Sequence, residues 1–250
     1  NGMIFQRGNP LDFERWAADP GMQSWSYAHC LPYFKRMETC TAGADDWRGG
    51  EGPLVLERGP ATNPLFDAFF RSAVQAGYPS TDDVNGYRQE GFARFDRNVH
   101  RGRRLSAARA YLHPVMHRPN LTVHTLSYAT RVLFEGKRAV GVEYARRGRG
   151  VNTLRAGEII LCGGAINSPQ LLQLSGVGPA TLLQSLGIQT VIDLPGVGGN
   201  LQDHLDICTL QHSTRRITYD RINEPRMAFD YYLRGHRGAG RNSSASIMSR

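Results

Sequence analysis

The 250 residues hold 28 glycines and 13 prolines, carry a formal net charge of +8, and include no charge-rich or low-complexity tract. This is a globular composition with ample length for a core. No apolar run approaches the roughly 18 to 20 residues of a membrane span, and no signal peptide opens the sequence. The four cysteines, Cys30, Cys40, Cys162 and Cys208, show no Cys-x-x-Cys spacing, which predicts reduced thiols and a cytoplasmic location.

In chain order, Asn1 to Gly8 (Asn-Gly-Met-Ile-Phe-Gln-Arg-Gly) reads as a glycine-bounded loop or short strand. Asn9-Pro10 opens a helix over Leu11 to Ala17, with Phe13 and Trp16 three apart. Trp25 to Met37 is a second amphipathic segment that places Leu31, Phe34 and Met37 along one side. Gly49 to Leu56 reads as a turn followed by a strand. Pro64 to Ala76 is a helix with Leu65, Phe69 and Ala73 at a spacing of four, stopped by Gly77. Asp82-Asp83-Val84-Asn85-Gly86 is a polar turn. Its adjacent aspartates are expected to face water, and without supporting ligands at suitable spacing no metal site is predicted.

Arginine carries almost all the positive charge, since Lys35 and Lys137 are the only lysines. The densest run is Arg97-Asn-Val-His100-Arg101-Gly-Arg103-Arg104. A basic face can attract nucleic acid, acidic lipid or phosphate-bearing ligands. No aromatics are interleaved for base stacking and no nucleic-acid motif follows, so the run predicts a solvated loop, near a phosphate at most. Arg104 to Leu112 leads into an alanine-rich helix. His113 and His117 lie four apart, but Pro114 and Pro119 break the segment and no third ligand is placed, so a loop is expected there.

Leu121 to Thr125 is a predicted strand. Thr130 to Phe134 and Ala139 to Tyr144 alternate as two more, joined by a hairpin at Glu135-Gly136-Lys137-Arg138. Thr153 to Cys162 is predicted to return as a central strand, with Cys162 as a buried thiol. Gly163 and Gly164 then make a turn into a helix, with Ser168 as N-cap, Pro169 in the first position and Ser175-Gly176 as the stop. Glycines at such a turn admit a ligand to the backbone, and a helix start favours an anionic group such as a pyrophosphate. Leu182 to Ile188 is a short helix and Val191 to Leu194 a strand. In the following Pro195-Gly196-Val197-Gly198-Gly199-Asn200-Leu201-Gln202-Asp203-His204, three glycines in four positions suit a backbone lying against a ligand. No Gly-x-Gly-x-x-Gly occurs; Gly196 to Asn200 comes nearest, with the wrong spacing.

Residues 164–179, from Gly164-Ala-Ile-Asn-Ser-Pro to Leu-Ser-Gly-Val-Gly-Pro179, closely resemble the second signature of the glucose–methanol–choline (GMC) family of flavin oxidoreductases. Arg7-Gly8-Asn9 with Asp12-Phe13-x-x-Trp16, the stretch Arg104 to Leu112, and Pro195 to His204 extend the resemblance from Asn1 to about His204. It implies an α/β fold: an FAD-binding, Rossmann-like dinucleotide domain with an α+β antiparallel-sheet substrate domain, both incomplete in this chain. The expected divisions are 1–50 as a flavin-contacting segment, 51–119 as a substrate-side and connecting segment, 120–205 as the FAD-binding domain, and 206–250 as the start of the substrate domain. The implied cofactor is FAD, contacted by Asn1, Gly2, Met3, Ile4, Val132 (through its backbone), Gly164 and Asn200.

The implied reaction is oxidation of a primary alcohol to an aldehyde by hydride transfer to flavin N5. The family's catalytic histidine is expected beyond Arg250, so no catalytic residue is assigned in this chain. His204 is given a structural, flavin-proximal role, because adjacent Asp203 and His204 rarely face each other. Gln75 to Pro79, Asp82 to Tyr87 and Gly136 to Glu143 resemble the choline dehydrogenase and alcohol dehydrogenase branch. Choline enzymes often carry a carboxylate just after the residue matching Asn242, whereas this chain has no acidic residue beyond Asp230. A neutral alcohol is therefore expected ahead of choline, with choline dehydrogenase as the alternative. The electron acceptor, quinone or oxygen, and peripheral association with the inner face of a membrane are left open. The competing class is a non-enzymatic basic module that binds anions or nucleic acid.

Overall fold

A computed structural model describes residues 3–148, 150–203, 205, 207–208, 210–215, 217–218 and 223–233. The chain divides into two compact units, Asn1–Leu121 with Gln211–Arg250, and Thr122–Leu210. Among the described residues, no helix is long and apolar enough to cross a membrane.

The first unit is built on a four-stranded sheet. Strands β1 (Ile4–Phe5), β2 (Glu38–Cys40), β3 (Leu54–Arg58) and β4 (Asp96–Arg97) lie in the order β1-β4-β3-β2, antiparallel except for the parallel β2–β3 pair. Leu54, Leu56 and Ala110 form its buried apolar cluster, with Phe5 and Leu105 packed against them. Helix α1 (Pro10–Ala17) starts as its sequence dictates: Asn9 Oδ1 accepts from the Leu11 N–H at 2.9 Å and Pro10 takes the first turn. The α1 residue Phe13 is buried edge-on against Trp16, and against Tyr27 and Phe34 of helix α2 (Tyr27–Met37). Such aromatic edges add about 0.5–1.5 kcal/mol each beyond area burial. After α2 the chain folds back tightly over the start of β2. A Cβ on Gly49 would fall 1.8 Å from the Lys35 carbonyl oxygen, so no larger residue fits. Helix α3 (Pro64–Gln75) buries only Ala73 fully.

Two elements of this unit differ from the expected ones. The arginine run is a hairpin, not a loop: β5 (Val99–His100) pairs with β6 (Arg103–Arg104), and Arg97 is buried in β4. The alanine-rich helix is one π-helical turn, Ala108–Leu112, followed by a 3-10 turn, His113–Val115, where Pro114 interrupts regular bonding.

The second unit holds an antiparallel meander, β7 (Ser127–Glu135), β8 (Arg138–Arg146) and β9 (Gly150–Arg155). Helix α4 (Gly164–Leu174) packs on β7. Strand β10 (Val177–Gly178), helix α5 (Ala180–Ser185) and strand β11 (Ile192–Asp193) follow as a small parallel βαβ unit around the fully buried Leu183. Gly176 makes the entry to β10 feasible: its φ is +87°, and a Cβ would meet the Gln189 carbonyl oxygen at 2.5 Å.

The strand ends differ from the sequence reading because a partner, not propensity, sets them. Residues 121–125 are not strand: Ser127 already pairs with Arg146, the last residue of β8. Residues 159–162 are not strand either. The Ala156 N–H reaches the Val140 carbonyl at 3.0 Å, and β8 begins only two residues earlier, at Arg138. The apolar run thus outlasts its neighbour, and Cys162 is exposed instead of buried. Helix α4 also begins before the expected cap. Gly164 enters it at φ +85°, Ser168 Oγ accepts from the Gly163 N–H at 2.9 Å, and Pro169 lies inside the helix, where it forgoes one backbone hydrogen bond.

Candidate functional site

Helix α4 is the spine of the predicted ligand site in the second unit. At its start, Gly164 has φ +85° and a Cβ there would find no heavy atom within 4 Å. The backbone is open on that side, and glycine alone holds this conformation without strain. At its other end, Gln173 Nε2 donates to the Val197 carbonyl at 2.9 Å and ties down the Pro195–Asn200 turn. Gly198 (φ +81°) is pressed against that same amide, Gly196 is open, and Asn200 sits exposed at φ +53°. Ser175 completes the joint: its Oγ donates to the Leu171 carbonyl at 2.5 Å and accepts from the Val132 N–H at 2.8 Å.

The structure thus brings Val132 and the Gly196–Asn200 turn to the C-terminal end of α4, and places Gly164 at the N-terminal end. At 1.5 Å per residue these ends are about 15 Å apart. An elongated ligand lying along the helix suits this spacing better than a compact one. Val132 itself is buried, at 3% exposure, and its N–H is engaged by Ser175. In a strand, a residue's C=O points to the same edge as its N–H, so its carbonyl is the atom left for a ligand.

Of the residues expected near the flavin from the first unit, Asn1 and Gly2 lie outside the described residues. Met3 holds φ +67° and its carbonyl accepts from the Asn98 N–H at 3.0 Å. Ile4 pairs with Arg97 and leaves about half of its surface exposed. His204 and Asn242 lie outside the described residues.

A cluster of six charges, four of them buried and Asp83 and Arg58 partly so, escaped the sequence reading. Glu38, 0% exposed, accepts from Arg7 Nη2 and Arg48 Nε, both at 2.8 Å, and from the Gly49 N–H at 3.0 Å. Arg48 reaches on to Asp96 at 2.8 Å and to Asp83, and Arg58 Nε binds Asp96 at 2.6 Å. Three guanidiniums therefore meet three carboxylates. Burial acts to lower the Arg48 pKa, but hydrogen bonds to Glu38 and Asp96, with the charges of Glu38 and Asp83, overcome it and raise the value. Asp83 accordingly turns inward instead of facing water as expected. Cys40 Sγ lies beside the Asp83 and Asp96 carboxylates in a metal-like grouping. Those carboxylates already accept from Arg48 and Arg58, which supply the positive charge a cation would bring. The one sequence signal for the cluster was charge in short apolar surroundings, at Glu38 and at Asp96-Arg97.

The arginine hairpin also has a defined setting. Arg103, Arg104 and Arg109 line an open cavity of about 580 Å³ with Ser106, Tyr231 and Tyr232, and Tyr231 donates to the Gly102 carbonyl at 3.2 Å.

A helix entered through an open glycine, with a glycine turn tied to its far end, leaves room for an elongated anionic ligand along it. Residues 1–206 match the family described as GMC oxidoreductase, and the chain belongs to that family. An oxygen-dependent choline dehydrogenase of Staphylococcus haemolyticus is 59% identical over 218 residues, 86% of this chain and 38% of the relative. Its counterpart from Staphylococcus aureus strain JH9 is 56% identical over 217 residues, again covering 38% of the relative. The chain thus spans well under half the length of these relatives. Among solved structures, pyridoxine 4-oxidase from Mesorbium loti is similar with a TM-score of 0.74 and 34% identity, over 78% of this chain and 38% of that one. An FAD-dependent oxidoreductase from Chaetomium thermophilum gives a TM-score of 0.81 at 29% identity, over 98% of this chain and 46% of that one. The GMC FAD-binding fold is therefore the fold of this chain.

Proposed function

We propose that the protein carrying this chain is an FAD-dependent oxidoreductase that converts a primary alcohol to an aldehyde. The observation that supports this most is the α4 spine, open at Gly164 and Gly196, in a chain of the GMC family. In this reading the pyrophosphate lies toward the first turn of α4, where unpaired backbone N–H groups favour anions. The Pro195–Asn200 turn and the Val132 carbonyl hold the far end of the ligand. Asn1, Gly2, Met3 and Ile4 are read as further cofactor contacts from the family resemblance alone. FAD, when bound, would supply a hydride acceptor at N5 for oxidation of the alcohol carbon, with the hydroxyl proton passing to a base. No side chain of this chain is assigned as that base.

The identity to two choline dehydrogenases favours choline as the alcohol. The rival reading, an uncharged alcohol, rests on the lack of an acidic residue beyond Asp230. Molecular oxygen is the first acceptor to test, because both relatives are described as oxygen-dependent; a quinone is the second. A cytoplasmic setting fits this chemistry, with peripheral contact at the inner face of a membrane if a quinone serves.

The test is purification of the whole protein, its visible spectrum, and kcat/KM for choline against an uncharged primary alcohol of similar size. A flavin spectrum with alcohol-dependent reduction is expected; a colourless, inactive protein refutes the proposal. Removing the partner of a desolvated charge costs about 2–5 kcal/mol, roughly 30-fold or more. A preference of that size for choline decides for choline dehydrogenase, and the reverse preference decides for a neutral alcohol.

A further inference from the structure

Strand β1 is two residues long and lies at an edge of its sheet, paired only with β4. Past the start of β4, one side chain continues the hydrogen bonding along the edge of β1 that faces β4. Asn85, 0% exposed, accepts at Oδ1 from the Arg7 N–H at 2.7 Å and donates from Nδ2 to the Phe5 carbonyl at 3.1 Å. These are the groups two residues apart that a neighbouring strand would bond on one edge. A single amide satisfies both because it carries a donor and an acceptor side by side.

Asn85 is in turn fixed from behind. Its own N–H donates to Asp83 Oδ1 at 2.8 Å, and Asp83 is held by Arg48 and Arg58 of the buried charge cluster. Arg7, whose backbone Asn85 grips, reaches back to Glu38 at 2.8 Å and to the Trp47 carbonyl at 2.6 Å. The loop of contacts from Asn85 through Asp83, Arg48, Glu38 and Arg7 closes on itself. From it the chain leads back through Phe5 and Ile4 to Met3, which stands at φ +67° with its carbonyl accepting from the Asn98 N–H at 3.0 Å. A non-glycine residue keeps such a conformation only where its surroundings over-determine it.

We propose that Asn85 is a positioning residue for the cofactor: it sets the backbone of Met3 and Ile4, and so their placement against the flavin. This rests on the reading above that Met3 and Ile4 contact FAD. Asn85 touches neither cofactor nor substrate in this account and acts through Phe5 and Arg7.

The experiment uses the whole protein with Asn85→Ala, Asn85→Asp, Met3→Ala and Ile4→Ala. The readouts are the flavin absorption bands, the FAD dissociation constant and Tm. Loss of both amide bonds in Asn85→Ala is expected to shift the flavin bands and weaken FAD binding about tenfold. Asn85→Asp keeps the acceptor for Arg7 but turns a carboxylate oxygen on the Phe5 carbonyl, so a shift in the same direction and no smaller is expected. It carries the test if Asn85→Ala does not fold. A purely structural role would lower Tm and leave the bands and affinity of the folded holoprotein unchanged, and that result overturns the proposal. If Met3→Ala and Ile4→Ala also leave the flavin unchanged, the contact reading falls and the proposal with it. If they alter the flavin while both Asn85 variants do not, only the positioning role falls.

Discussion

Replacing Glu38 by glutamine keeps the outline of the side chain and deletes its charge. In the native cluster, Oε1 of Glu38 accepts three hydrogen bonds, from Arg7, Arg48 and Gly49. Glutamine retains one acceptor oxygen, but its amide hydrogens would meet guanidinium donors where Oε2 now faces Arg48 Nη2 at 3.4 Å. Two buried arginines and the partly buried Arg58 would then share two carboxylates. Leaving a buried charge without its partner costs about 3–5 kcal/mol, against about 0–1 kcal/mol for an exposed pair. The Arg15–Asp12 pair, with both side chains at least half exposed or nearly so, supplies that contrast in Asp12→Asn. For a domain of about 150–250 residues each kcal/mol moves Tm by about 2–4 °C, so Glu38→Gln is expected to lower it by about 6–20 °C. Thermal unfolding of the two variants beside the parent measures this. A drop for Glu38→Gln no larger than that for Asp12→Asn refutes the claim that the cluster is held by buried, mutually dependent charges.

Gly164→Val is expected to abolish FAD binding while costing the apoprotein only about 1–2 kcal/mol for a side chain at positive φ, since its Cβ meets open space; flavin content and Tm of purified variant separate the two effects. Gly176→Ala should behave oppositely, with a large loss of stability from the clash with the Gln189 carbonyl, and a Tm within about 2 °C of the parent would contradict the described turn. Burial pushes the Cys40 thiol up, against the pull of Arg48, so its thiolate is scarcer than that of an ordinary thiol at any given pH. A thiol-reactive dye should label exposed Cys162 and Cys208 rapidly and Cys40 only after unfolding; peptide mapping that finds Cys40 labelled first would overturn its placement.

What could be read from the sequence was what local chemistry decides. Asn9-Pro10 announces α1 because cap and first turn are adjacent residues, and Gly77 stops α3 at φ +82° for the same local reason. The glycine-marked α4 stretch and the Pro195–Asn200 turn carried the family and fold; Gly164, Gly176 and Gly198 there answer a positive φ and Gly196 open space. Strand ends were not readable, because β7 begins only at Ser127, opposite the last residue of β8, and residues 159–162 have no strand partner among the described residues. The charge cluster was hidden for a related reason. Asp83 looks like a turn residue until Arg48 and Arg58 arrive from other elements, and no spacing rule connects Arg7, Glu38 and Asp96.

The six clustered charges cancel one another, so the whole +8 of the chain is left to the remaining residues, outside that neutral knot. Interior and surface electrostatics are thereby decoupled. Salt at physiological strength screens exposed charges beyond about 8 Å and reaches a dry cluster far less. Raising ionic strength should therefore slow the capture of anionic molecules by the arginine-rich exterior while the folded core holds its shape.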